Sequence, residues 1–485
     1  MSLTGALDTQ HGGRAVARPD IPQAVKGRYR SVKTVLTSLM LAYYFLTPFL
    51  RWDRGPTLPD QAILFDLPGR RLFIFGLEFW PQDLPIAVGL LIASALALFY
   101  VTTLAGRVWC GFACPQTVWS DLLFSVDRLI ARFTGRGAHE KALRLVVWLV
   151  ISVLTAYGFA AWFNDAITLP GEVLSGTAPA GVYVTILVLT TTTFFFAAYA
   201  RERVCLHMCP WPRFQSALLD QESLVVTYQA WRGEPRGKKR LPLRPEIAEP
   251  GLAALAREAA DLGGQLKTRG DCIDCTRCVT ACPTGVDIRK GLQFGCIGCG
   301  MCVDACNDVM TRLERPKGLI RFDSETNFNQ HTFKGVGINW LRPKAMLFGI
   351  GALIALACAL YGVVTLPGAV VHVDHQRNPP FVLLSDGSVR NDYSIRLQHR
   401  LPELSQVSLR ADGLPGAELR FGAEGAASSG AIDLPVGADR TVDDRLHLTL
   451  PRGTAPNGRK DFDFVVEANG QEVARIESYF WGPQR

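Results

Sequence analysis

The sequence predicts a multi-domain membrane protein with an α-helical membrane domain, a small cysteine-rich α+β insert and an all-β C-terminal domain. Three observations predict these parts. Hydrophobic residues make up 48% of the 485 residues and collect in long uncharged runs. Eight of the 13 cysteines fall between positions 272 and 306. The last stretch, 370–485, alternates apolar and polar residues between turn-forming ones, which is typical of short strands.

Residues 1–33 are polar and basic and lack the apolar core of a signal peptide, so they predict a cytoplasmic tail. The membrane domain, 34–205, follows. A membrane-spanning helix needs about 20 apolar residues. Five runs meet this requirement approximately, and we place the spans at about 35–50, 84–105, 145–163, 182–200 and 345–366.

The distribution of charge predicts the orientation. The loops at 106–144 and 201–344 are rich in Arg and Lys, which places them and the N-terminus in the cytoplasm. The loop at 51–83 is then external, although its four arginines fit that rule poorly. An odd number of spans places the C-terminal segment outside. The net charge of +7 is modest, and the basic run at 236–240 lies in a predicted cytoplasmic loop, so we expect no nucleic-acid binding.

The cysteine-rich insert, at about 262–318 within the cytoplasmic region 206–344, contains C-x2-C-x2-C-x3-C twice. This spacing gives three thiolates to one cluster and the fourth to its neighbour, as in two-cluster ferredoxins. It predicts a ferredoxin-like domain with two [4Fe-4S] clusters. The predicted ligands are Cys272, Cys275, Cys278 and Cys306 for the first cluster, and Cys296, Cys299, Cys302 and Cys282 for the second. Zinc is the alternative, but zinc ribbons use two well-separated C-x2-C pairs.

A second constellation is an internal repeat: each of two spans is followed by C-x3-C-P and an amphipathic stretch. A spacing of four puts both thiols on one face of a helical turn, and proline can open the next helix. If the repeats pack together, four thiols converge at the cytoplasmic membrane surface. Such soft ligands favour Cu(I); redox dithiols, or cysteines that only pack at a helix end, are the alternatives. The candidates are Cys110, Cys114, Cys205 and Cys209, with Met208 and His207 as weaker ones.

The segment 370–485 predicts about seven strands and an immunoglobulin-like sandwich. It has no cysteine and carries 13 basic and 16 acidic residues. A docking or assembly module fits this composition better than a catalytic domain does. The remaining cysteine, Cys358, lies in the fifth apolar run, where it is expected to pack as a small hydrophobic residue.

The order of these features resembles the cytochrome c oxidase accessory protein family, CcoG, also called FixG or RdxA. The resemblance covers almost the whole chain and rests on the two C-x3-C-P pairs, the two-cluster insert and the external sandwich. It implies a place in the bacterial inner membrane with a periplasmic C-terminal domain. It further implies reduction of Cu(II) to Cu(I) for assembly of cbb3-type cytochrome oxidase, in contact with the oxidase subunits and a copper-exporting P-type ATPase.

The residues themselves suggest an electron relay, in which a cytosolic donor reduces the clusters and the acceptor lies near the C-x3-C-P thiols. The protein would then be an oxidoreductase. Two alternatives remain open. The membrane half also resembles polyferredoxin-type quinol dehydrogenases, so the chain could be a quinone-linked electron carrier. It could instead be an assembly scaffold in which the clusters are structural.

Overall fold

The computed structural model describes residues 21–55, 58–134, 138–237, 270–330, 338–366, 369–376, 378–399, 407–422, 428–434, 441–468 and 471–483. Most of the predicted N-terminal tail, part of the basic run at 236–240 and the first residues of the predicted insert lie outside these ranges. The chain forms two compact units. The first comprises 1–50, 61–73 and 79–360, and the second comprises 51–60, 74–78 and 361–485.

Helices dominate the first unit. They are α1 (Arg28–Leu46), α2 (Leu84–Ala105), α3 (Val108–Phe112), α4 (Pro115–Thr134), α5 (Ala138–Ala160), α6 (Leu169–Ser175), α7 (Ala180–Thr193), α8 (Trp211–Leu218), α9 (Ala230–Gly233), α10 (Arg277–Thr280), α11 (Met301–Arg312), α12 (Glu325–Asn329) and α13 (Pro343–Val364). Within the described ranges, five helical segments are long and apolar enough to cross a membrane: Arg28–Phe49, Pro81–Ala105, His139–Ala160, Ala180–Ala200 and Pro343–Val364.

Two of these segments begin earlier than hydropathy predicts, and each has a paired charged residue in its first two turns. In α5, Arg144 donates to Glu140 at 2.8 Å, one helical turn away. In α1, Arg30 reaches Asp121 of α4 at 2.7 Å. A prediction from hydropathy stops at such charges, whereas a helix can continue through a charged residue that a partner neutralises.

Short strands β1 (Ile63–Asp66), β2 (Arg71–Ile74) and β3 (Leu77–Phe79) follow α1 in the chain. The cysteine-rich domain is closed by an antiparallel ribbon of β4 (Val225–Tyr228) and β5 (Ile320–Asp323). Both strands lie outside the predicted limits of 262–318, since two four-residue strands so far apart in sequence leave no local signal. Apolar side chains from the ribbon and from α10 and α11 form one buried core.

The second unit contains strands β6 (Ala369–His375), β7 (Val382–Leu383), β8 (Val389–His399), β9 (Val407–Asp412), β10 (Glu418–Phe421), β11 (Ser428–Ser429), β12 (Ala431–Leu434), β13 (Thr441–Leu450), β14 (Arg459–Ala468) and β15 (Gln471–Trp481). One sheet has the order β11-β10-β13-β8-β6 with β7 beside β8, and the other has the order β12-β9-β14-β15. Alternate residues of β8, including Tyr393 and Ile395, meet Leu409 and Phe464 of the other sheet in a single core. The unit is therefore a sandwich.

Candidate functional site

The eight cysteines of the insert surround two separate cavities. One cavity is lined by the outer thiol set, Cys272, Cys275, Cys278 and Cys306. The other is lined by the inner thiol set, Cys282, Cys296, Cys299 and Cys302. These are the two groups that the spacing assigns to the first and second clusters, with the fourth ligand of each coming from the other motif.

The two cysteine loops follow the same backbone path. In the inner loop, Gly298 and Gly300 have φ of +67° and +71°. At the matching positions of the outer loop, Asp274 and Thr276 have φ of +56° and +59°. Non-glycine residues are uncommon in this left-handed region, so the sequence signalled the bend in the inner loop only.

The bends direct backbone N–H groups at sulfur atoms. The N–H of Gly298 donates to Cys296, and the N–H of Asp274 donates to Cys272. Burial, reinforced by the neighbouring thiols, raises the pKa of Cys296 and of Cys306 to about 12, so binding of iron must displace their protons. Four thiols around a cavity with N–H donors to sulfur are the donor set of a [4Fe-4S] cluster. The residues present therefore fit such clusters, and the assignment of individual ligands stays a prediction.

The first C-x3-C-P motif joins two helices. Cys110 lies in α3, Cys114 occupies the turn after it, and Pro115 is the first residue of α4, where its missing N–H costs no helical hydrogen bond. The second motif is less regular. Cys205 lies in a π-helical turn, Val204–Met208, which closes when the Cys209 N–H donates to the Val204 carbonyl at 2.8 Å. Such turns are common at functional sites.

The two repeats pack against each other. Gln116, next to Pro115, donates to the carbonyls of Phe196 and Arg201 at 2.8 and 3.1 Å. The Cys110 thiol of the first repeat likewise donates to Gln215 Oε1 of α8, in the second repeat, at 3.3 Å. Gln215 is completely buried, and its Nε2 has no hydrogen-bond partner among the described residues. Gln215 could not be identified from the sequence, because a glutamine in a short amphipathic helix is typical of a surface position.

This packing brings the C-x3-C-P thiols, which we define as Cys110, Cys114, Cys205 and Cys209, into one neighbourhood. Burial raises the pKa of Cys110 to about 12, and the other three thiols add to the shift. Burial and two of the same neighbours raise the pKa of Cys205 to about 11. All four groups therefore lie close enough to interact electrostatically.

The thiols are not arranged around a single metal ion. In the part of the chain that the structure describes, no three His, Cys, Asp or Glu side chains are close enough together to hold one. The same is true of the inner and outer thiol sets. The weaker candidates His207 and Met208 are both exposed, and so is Cys209. Their exposure gives no support to their role as copper ligands.

The inner thiol set lies directly against the first C-x3-C-P motif. A Cβ atom at Gly111 would lie 2.8 Å from both the Cys299 Cα and the Ile297 carbonyl oxygen, so only glycine allows this approach. Ile297 and Cys299 belong to a buried cluster against which Cys110 and Cys205 pack. In the outer set, by contrast, Cys275 is exposed.

Arg107 clamps this contact. Its Nη1 donates to the carbonyls of Phe294 and Cys296, and its Nη2 donates to the Pro212 carbonyl and to Ser216 Oγ at 3.1 and 2.8 Å. The side chain therefore joins the inner cysteine loop to the second repeat. A basic residue precedes the cysteines in both motifs. The sequence therefore marks the position, but it does not show which groups the side chain contacts.

Comparisons with known proteins support the iron-sulfur domains and the C-terminal sandwich. A family model described as a 4Fe-4S dicluster domain matches residues 200–325, and one described as a 4Fe-4S binding domain matches 87–135. A third, for the Ig-like fold at the C-terminus of FixG, matches 359–483. Together with the five apolar helices, these matches confirm the predicted fold class.

Three relatives match over nearly their whole length. Protein RdxA of Cereibacter sphaeroides is 40% identical, over 96% of this chain and 97% of its own. Nitrogen fixation protein FixG of Rhizobium meliloti is 37% identical, over 93% and 90%. Protein RdxB of Cereibacter sphaeroides is 38% identical, over 96% and 97%. The resemblance seen in the sequence is therefore confirmed: this chain is a membrane-associated iron-sulfur electron-transfer protein and belongs to the FixG/RdxA family.

Proposed function

We propose that the protein is a cupric reductase, which passes electrons from a cytosolic donor to Cu(II) at the C-x3-C-P thiols and supplies Cu(I) for assembly of cbb3-type cytochrome c oxidase. The observation that carries the proposal is the contact between Gly111 and the backbone at Cys299, which joins the inner thiol set to the C-x3-C-P thiols. Each Cu(II) ion gains one electron and becomes Cu(I). [4Fe-4S] clusters, when bound, supply one-electron carriers.

The residues of the chain support a direction for this transfer. Cys275 exposes the outer set to a soluble donor, whereas the inner set is covered by the first repeat. The C-x3-C-P thiols present soft sulfur ligands, which stabilise Cu(I) relative to Cu(II). Because Cys209 is exposed and Cys110 is half-buried, an incoming copper ion would meet Cys209 first.

A second candidate for the same thiols is a further iron-sulfur cluster. The match described as a 4Fe-4S binding domain, 87–135, contains only two cysteines, Cys110 and Cys114. The thiols are also not spaced for a single ion. In this case the thiols would belong to the relay, and copper or a quinone would accept the electron elsewhere.

One experiment on the anaerobically purified, reduced protein tests both candidates. Stoichiometric Cu(II) is added, and its EPR signal is followed together with the iron content. For a cupric reductase we expect Cys110→Ser and Cys209→Ser to abolish loss of the Cu(II) signal while each chain keeps about eight iron atoms. Cys358→Ser, which changes an unrelated cysteine in α13, serves as the matched control.

The outcomes separate the candidates. Retained Cu(II) reduction in both variants would remove these thiols from the mechanism. An iron content of about twelve atoms in the wild type that falls in Cys110→Ser would identify a third cluster. If Cu(II) persists while a quinone analogue is reduced, the chain is a quinone-linked carrier.

We further propose that the protein lies in the bacterial inner membrane, with its N-terminus and cysteine-rich domain in the cytoplasm and its sandwich in the periplasm. Five apolar helices, an odd number, support opposite sides for the two ends. The resemblance to CcoG supports the further proposal that the protein contacts subunits of the oxidase and a copper-exporting P-type ATPase.

A further inference from the structure

Lys33 is a buried cation that shares its carboxylate partner with an arginine. It lies in the second turn of α1, and only 2% of its surface is exposed. Its Nζ is 3.6 Å from Asp121 Oδ1, which also accepts a hydrogen bond from Arg30 Nη1 at 2.7 Å. Because a buried charge is unfavourable unless it is paired, a lysine at this position calls for an explanation beyond packing.

Asp121 is surrounded by cations. Burial works to raise the pKa of Asp121, but Lys33 and Arg30 lower it below its usual range, so this carboxyl is ionised. The same carboxylate also interacts with Arg128, two turns farther along α4. Asp121 therefore faces three cations. Two further carboxylates lie nearby: Asp127 pairs with Arg201 at 2.8 Å, and Glu202 lines the same cavity as Lys33.

Lys33 lies between the inner thiol set and the C-x3-C-P thiols. Lys33 and Asp121 line a small cavity together with Cys205 and Ile297, the residue two before Cys299. Burial raises the pKa of Cys299 and Cys205, and in both thiols the charge of Lys33 opposes that increase. The ammonium group is therefore close enough to act on the inner set and on Cys205 together.

We propose that the buried charge of Lys33 raises the reduction potential of a cluster held by the inner thiol set. A higher potential at this cluster favours electron transfer toward the C-x3-C-P thiols. Reduction adds one electron and makes the cluster more negative, and a nearby fixed cation stabilises that form. Asp121 has the opposite effect. The inference rests on the proposed relay, but not on copper as its acceptor.

The test is a redox titration of the full-length, cluster-loaded protein in detergent, without copper, with the EPR signals followed at controlled potential. In Lys33→Gln, which keeps a hydrogen-bond donor for Asp121, we expect one of the two midpoints to become more negative and the other to stay unchanged. In Asp121→Asn the same midpoint should become more positive. Lys33→Arg keeps the charge and should retain the wild-type value, as should Lys141→Gln, which changes an exposed lysine of α5.

Opposite shifts in the two variants are specific, because a loosened fold would move the midpoint in the same direction in both. Unchanged midpoints, or shifts of equal sign, would overturn the proposal. If one variant fails to bind clusters, the sign of the shift in the other decides. Because the titration contains no copper, its result does not depend on whether the C-x3-C-P thiols reduce Cu(II).

Discussion

At the scale of single residues, Arg107 shows how much of the site depends on one side chain. Its planar guanidinium group serves four acceptors on two elements, and only 8% of its surface is exposed. Lysine cannot replace this fork, because it carries a single ammonium group on a flexible stem. An acceptor left unpaired in a buried site costs about 1–3 kcal/mol.

We therefore expect Arg107→Lys to slow Cu(II)-dependent reoxidation of the reduced protein about tenfold or more, the equivalent of about 1.4 kcal/mol. The outer thiol set should keep its cluster, since Arg107 contacts only the inner loop and the second repeat. Stopped-flow absorbance and the iron content measure the two effects. Arg213→Lys, at an exposed position of α8, is the matched control. A wild-type rate in Arg107→Lys would show that the clamp has no part in transfer.

Single residues also mark the limit of what the sequence can predict. The cysteine spacing predicted the two sets that line the cavities, because ligand geometry is encoded locally. Lys33 and Gln215 could not be found in the same way. The role of each depends on contacts with residues that are far away in the chain. No local sequence pattern predicts those contacts. Asp274 and Thr276 were missed because neither residue type signals a left-handed backbone.

At the scale of elements, α1 connects the cysteine-rich domain to the membrane. Asp304 of α11 accepts a hydrogen bond from the Arg30 N–H at 2.8 Å, so a residue of the insert caps the first turn of the first apolar helix. The cap leaves no room beside it: a Cβ atom at Gly27 would lie 2.3 Å from Asp304 Cγ. The charges at Arg28, Arg30 and Lys33 led hydropathy to place the start of this span at 35, and the contact with Asp304 could not be predicted from the sequence.

We expect Gly27→Ala and Asp304→Ala each to weaken this cap by about 0.5–2 kcal/mol and to lower the temperature at which the protein loses its clusters. Because both changes break the same contact, the double variant should lose little more than either single one. Gly181→Ala, near the start of α7 where a Cβ has open space, should leave that temperature unchanged. Fully additive losses would mean that the two residues act separately.

At the scale of the whole molecule, the chemistry and the sandwich lie in different parts of the chain. All 13 cysteines precede residue 359, and the sandwich has a core of its own built from both of its sheets. Composition predicted this division, because cysteine is absent after residue 358 and the alternating strand patterns in the sequence are concentrated in 370–485. The role of the sandwich as a docking module stays a prediction, because a pattern of alternating strands predicts a core and does not identify a partner.

A chain that ends at residue 366 separates catalysis from assembly. If the protein is a reductase with a docking domain, the truncated chain should keep both clusters and reduce Cu(II) at a rate within about twofold of the wild type, because every proposed ligand remains. It should fail to restore cbb3-type oxidase activity in cells that lack the full-length protein. If the clusters are only structural, Cys110→Ser in the full-length chain should leave oxidase assembly intact. Restored oxidase activity in that variant, measured beside the truncation, would favour the scaffold over the reductase.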